Sequence, residues 1–140
     1  MRLLKVLAAV SVVMAVAVVL HAGVIILDFK AEPGFNKVTL TWRVRAEQGV
    51  EAYEVERSVQ ANAGFQRVGR VKAQGTPTPE TVRTYTYVDK SVFKTTGRTY
   101  YYRLRILETN GRWSFSEVVS VSPKISAARH TWGSIKAMFR

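Results

Sequence analysis

Cysteine is absent from all 140 residues. This excludes disulfides, thiolate metal sites, an acylated lipoprotein cysteine and cysteine catalysis. Histidine is nearly absent, with His21 and His130 at opposite ends of the chain. A Ser-His-Asp arrangement would need a histidine in the body of the chain, and the scattered acids make no metal cage. Glycine-rich phosphate loops are missing as well. These absences predict no catalytic residues, no metal and no cofactor, and hence no enzyme. Acidic residues are scarce too, 10 against 21 basic ones, for a net charge of +11. The first 22 residues hold only Arg2 and Lys5, so 19 of the 21 basic residues remain beyond them against all 10 acids. Such an excess favours acidic partners: anionic lipid, surface polysaccharide, nucleic acid or an acidic protein. A solvated, arginine-rich surface explains the charge equally well.

Hydrophobic residues, at 47%, are not scarce, and the length allows one domain with a short appendage at either end. Arg2 and Lys5 precede an uncharged run from Val6 to Leu27. A basic leader before an apolar run is the layout of a secretory signal. Cleavage after Ala22 would place Leu20 where signal peptidase prefers a small residue, and Ala15-Val16-Ala17 fits better but leaves an apolar stub. The run is 22 residues long, and about 20 suffice to cross a bilayer as a helix. Residues 1–23 are therefore either a signal peptide or an uncleaved anchor, and both place the rest outside the cytoplasm.

Beyond the leader the pattern alternates, with turn residues at regular intervals. Strands are predicted at Val24–Ala31, Lys37–Arg43, Ala52–Arg57, Phe65–Val71, Val82–Val88, Thr99–Leu107 and Trp113–Val121. Tyr53 and Val55 face inward in the third, and Tyr100, Tyr102, Leu104 and Ile106 share one face of the sixth. Asn110-Gly111 is a strong hairpin signal between the last two strands. About seven short strands, with no helical period among them, predict an all-β, two-sheet antiparallel sandwich over residues 24–123.

Leu40-Thr-Trp42, Tyr53-Glu-Val-Glu-Arg-Ser58, Tyr100-Tyr-Tyr-Arg-Leu104, Asn110-Gly111 and Ser116-Glu-Val-Val-Ser-Val121 occur in order at domain-like spacing. This set resembles a fibronectin type III domain of the kind found in secreted bacterial proteins. The resemblance implies that Trp42 packs in the core from the second strand. It also implies that Tyr100 is a corner tyrosine whose hydroxyl bonds back to the preceding loop. The chain has no Arg-Gly-Asp, so integrin binding finds no support.

Glu54 and Glu56 stand two apart on one strand and can be read as a hydrolase's paired carboxylates. In the fibronectin-like arrangement, however, their strand neighbours the one carrying Arg103 and Arg105. A cross-strand ladder of ion pairs is the preferred reading. Trp113, beside Arg112 near a loop end, suits a hot spot for protein or carbohydrate. Yet Trp113 and Phe115 share the parity of Val119 and Val121, so strand packing accounts for them equally well.

The tail, residues 124–140, has four basic residues and no acid. From Thr131 onward, Trp132, Ile135 and Phe139 recur at helical spacing, with Lys136 and Arg140 on the flanks. A short basic amphipathic helix of this kind suits an anionic membrane surface or a partner's groove. Its length and Gly133 argue equally for a frayed tail. The expectation is a non-enzymatic, extracytoplasmic interaction or structural module at the cell envelope, secreted or held at the inner membrane by the N-terminal helix. Its partner would be an envelope protein or membrane complex, with anionic lipid or polysaccharide as further candidates. Two rival readings are a single-span accessory subunit of a membrane complex and a polysaccharide-binding module with Trp113 and the Tyr101 face as platform. Secretion disfavours nucleic acid.

Overall fold

In chain order the strands are β1 (Ile25–Gly34), β2 (Lys37–Arg45), β3 (Val50–Ser58), β4 (Gln66–Lys72), β5 (Arg83–Asp89), β6 (Tyr100–Glu108), β7 (Trp113–Phe115) and β8 (Val119–Val121). The computed structural model describes residues 23–92 and 98–122. The expected N-terminal helix, and the expected tail helix with Trp132, Ile135, Lys136, Phe139 and Arg140, lie outside the described residues. One sheet runs β1-β2-β5. The other runs β4-β3-β6-β7, with β8 pairing β6 further along. Every pairing is antiparallel, and the described residues contain no helix.

Alternation explains why the sheets face each other. Val38, Leu40, Trp42 and Val44 of β2 are fully buried, as are Tyr53 and Val55 of β3 and Tyr102 and Leu104 of β6. Each such side chain stabilises the fold by roughly 1.5–3 kcal/mol relative to exposure. Trp42 lies at the centre, stacked on Tyr85 at 5.6 Å and met edgewise by Tyr53 at 5.6 Å and Phe29 at 6.4 Å. Tyr100 is buried, and residues 93–97, the loop its hydroxyl was expected to reach, lie outside the described residues.

Two buried carboxylates fasten the sandwich at opposite ends. Glu47, just after β2, accepts the single proton of the Tyr85 hydroxyl between its two oxygens, at 2.6 and 2.8 Å, and a hydrogen bond from the Gly75 amide at 3.1 Å. Asp89, at the end of β5, accepts from Arg57 of β3 at 2.6 Å and from Tyr102 of β6 at 2.7 Å, so it ties one sheet to the other. Burial alone would raise the Asp89 pKa. The bonds from Ser91, Tyr102 and Arg57 outweigh it and hold the group below the ordinary carboxylate value.

Two expectations need correcting. β1 continues through Pro33 to Gly34, because an edge strand is where a ladder tolerates proline. The predicted strand Trp113–Val121 is two strands, making eight instead of about seven. Phe115 opposes Arg105 and Trp113 opposes Leu107, whereas Val119 opposes Tyr102 and Val121 opposes Tyr100. The register slips by one residue between them, which exchanges the faces. Ser116 ends the first ladder: its amide donates to the Leu104 carbonyl at 2.9 Å, and its hydroxyl accepts from the Leu104 amide at 2.8 Å.

Candidate functional site

The slip decides what the larger sheet shows to solvent. Val121 turns into the core, while Trp113 and Phe115 turn outward and are 53% and 41% exposed. Equal parity with Val119 and Val121 therefore does not place Trp113 and Phe115 in the core. Their rings lie 5.0 Å apart at 59°.

Arginines of β6 interleave with these rings. The Arg105 guanidinium lies 4.6 Å from the Trp113 ring centre, and that of Arg103 lies 3.6 Å from Phe115 and 4.2 Å from Phe65. Both arginines stand on the outward face because β6 alternates, with Tyr100, Tyr102, Leu104 and Ile106 directed into the core. Ring faces attract cations by roughly 0.5–2 kcal/mol per contact, so the stack holds the arginines extended along the sheet. The hairpin that delivers Trp113 closes at Gly111, whose φ of 85° requires the left-handed region, while Asn110 Oδ1 accepts from the Arg112 amide at 2.9 Å.

The acids on this face are distributed differently from the expected ladder. Glu56 pairs with Arg103, whose Nε donates to Oε2 at 2.7 Å. Glu54 stands opposite Arg105 in register, yet its carboxylate pairs with Arg67 at 3.1 Å and Arg70 at 3.9 Å on the other side. The expected Glu54–Arg105 pair is thus corrected: β4 offers Glu54 closer cations, and Trp113 draws the Arg105 guanidinium away. Arg105 makes no ion pair among the described residues, and its Nε is buried without a hydrogen-bond partner. Tyr101 is half-buried on the same face, and Arg112 is exposed.

Phe65, Arg67 and Phe115 take part in this surface without having been singled out as its members from the sequence. The signal was present as three short alternations, Phe65-x-Arg67, Arg103-x-Arg105 and Trp113-x-Phe115, each putting two such residues on one strand face. Among the described residues no group of three or more His, Cys, Asp or Glu side chains could hold a metal. The surface therefore offers flat aromatic contact and guanidinium donors, which suits binding of a flat or acidic ligand.

The sequence matches no family model and no curated protein. Among solved structures, the fold is similar to pectate lyase Pel3 from Pectobacterium carotovorum, with a TM-score of 0.52 and 18% identity over 68% of this chain and 26% of that one. It is similar also to pectate lyase PelI from Erwinia chrysanthemi, solved in complex with tetragalacturonic acid, with a TM-score of 0.52 and 20% identity over 66% of this chain and 27% of that one. An Fn3-like protein from Clostridium thermocellum aligns with a TM-score of 0.46 and 23% identity over 71% of this chain and 96% of that one. The chain spans about a quarter of the length of the pectate lyases it matches. At such identities the likeness to the pectate lyases shows the fold alone, an all-β chain of two antiparallel sheets. The expectation that the chain is no enzyme is corrected by these neighbours to this extent: enzyme chains contain this fold, so the fold does not exclude an enzyme.

Proposed function

We propose that the chain is a fibronectin type III-like binding module of the cell envelope, placed outside the cytoplasm, and that it docks an envelope component on the outward face of β6 and β7. The observation that carries this reading is the exposed Trp113–Phe115 pair interleaved with Arg103 and Arg105. Exposed aromatic and arginine side chains grouped on one rigid face have the composition of binding hot spots. The apolar run from Val6 to Leu27 supports the location, either as a signal peptide or as an anchor that would make the protein a single-span subunit of a larger complex.

Gentle detergent extraction of the full chain from its native membrane, followed by identification of what co-purifies, tests the face. The co-purifying component should be lost from Trp113→Ala at unchanged melting temperature, a drop of about tenfold or more for a hot-spot aromatic. If the same component stays bound to the variant, this face is not the contact surface. N-terminal sequencing of the mature protein separates the two placements. A start near Gly23 means a released module, and an intact leader means an anchored one.

A further inference from the structure

We propose that Arg105 and Trp113 form a recognition site for a uronate-bearing polysaccharide, a ligand class that rests on the reading of this face as a contact surface. The cations of the face are not equivalent. Arg103 is held between Phe65 and Phe115 and closed by Glu56, while Arg67 and Arg70 are taken up by Glu54 and Glu51. Arg105 alone of these four lacks an acid among the described residues, because Glu54, its partner in register, is turned towards β4. Its Nε is sealed from solvent, which leaves the two terminal nitrogens to an incoming group. A pair of parallel N–H donors matches the planar, two-oxygen geometry of a carboxylate.

Beside that guanidinium lies the indole of Trp113, 4.6 Å away and 53% exposed. A uronic acid residue brings both complementary parts, a flat C–H face for the indole and a carboxylate for the guanidinium. A polyuronate repeats them along a chain that can lie across an open sheet. An acidic peptide supplies the carboxylate without a rigid apolar plane, and a sulfated glycan supplies a tetrahedral anion. The net charge of +11 concentrates any polyanion near the protein, but it does not distinguish one from another.

Affinity electrophoresis of the full chain in detergent tests the proposal, with gels containing polygalacturonate, fully methyl-esterified pectin, dextran sulfate or poly-glutamate. Retardation is expected to be strongest in polygalacturonate and absent in the esterified polymer. Arg105→Gln and Trp113→Ala should each weaken it by about tenfold, the scale of one charge-assisted hydrogen-bonded contact. Arg105→Lys, which keeps the charge but loses the fork, should weaken it as well. Equal retardation by dextran sulfate or poly-glutamate, by the esterified polymer, or by Arg105→Gln at unchanged melting temperature would overturn the proposal. If Arg105→Gln does not fold, the order of the four polymers on the unaltered protein decides. Polyuronate binding that fails while Trp113→Ala still releases the co-purifying envelope component would overturn the uronate site and leave the contact face standing.

Discussion

Gly69 in β4 shows how one missing side chain joins two sheets. A β-carbon built there would come within 2.2 Å of the Tyr87 ring. The bare backbone instead lets that ring cross from β5 and donate its hydroxyl to the Val68 carbonyl at 2.7 Å. Gly69→Ala is expected to push Tyr87 aside and destabilise the fold by about 1–3 kcal/mol, the usual range for overpacking. Urea denaturation would show this as a lower midpoint at unchanged slope, and an unshifted midpoint would refute it. Neither residue advertises this role, since the contact joins distant strands and nothing local marks it. Trp42 is the opposite case. Val38, Leu40 and Trp42 alternate without interruption, so their buried face could be read from spacing alone.

At the scale of the element, the β7–β8 bulge controls both the core and the displayed surface. Ser116 fixes its position by pairing twice with the Leu104 backbone. Ser116→Ala keeps the amide bond but leaves the buried Leu104 amide sharing one acceptor fewer, at a cost of about 1–2 kcal/mol. Deleting Glu117 is more informative. The two ladders would then share one continuous register in which Trp113 and Phe115 still face outward and Val119 and Val121 still face the core, because the one extra residue is what sets their common parity on opposite faces. The expected outcome is a kept fold with unchanged tryptophan fluorescence and a melting temperature moved by no more than several degrees, about 4–8 °C per kcal/mol for a domain of this size. A deletion variant that unfolds, or whose fluorescence shows Trp113 buried, would show that the bulge is not a single inserted residue. This element also marks where the sequence stopped being legible. Trp113, Phe115, Val119 and Val121 all occupy odd positions, and period two cannot reveal a residue inserted between them. The partner of Glu54 was hidden for a related reason, since its choice between Arg105 and Arg67 depends on how β4 aligns with β3.

For the whole molecule, the buried Asp89 carboxylate and the buried phenols set the pH range over which the sheets stay fastened. Asp89 has its pKa below the ordinary value of 3.8 in the folded state. Its bonds therefore contribute fully above that value, and the contribution is lost as pH falls through the depressed folded pKa. At the other end the shift has the opposite sign. Burial first, then the hydrogen bond to Glu47, pushes the Tyr85 phenol up to about 12 from 10.0. A folded pKa above the unfolded one stabilises fully below pH 10.0, and the effect disappears as pH rises through about 12. Burial raises Tyr53 and Tyr102 in the same direction, so the alkaline loss is shared among three phenols. Stability should thus be nearly level from about pH 5 to 9 and fall on both sides, with separate causes. Asp89→Asn distinguishes them. It leaves Arg57 with a weaker, neutral acceptor and should cost about 2–4 kcal/mol at neutral pH, while flattening the acid side; the alkaline side keeps what Tyr53 and Tyr85 contribute and loses only the part of Tyr102 that rests on Asp89. Urea midpoints of parent and variant measured from acid to alkaline pH give both limbs in one experiment. An acid slope that survives Asp89→Asn would place the acid-sensitive group elsewhere and remove Asp89 from its role as the fastening between the sheets.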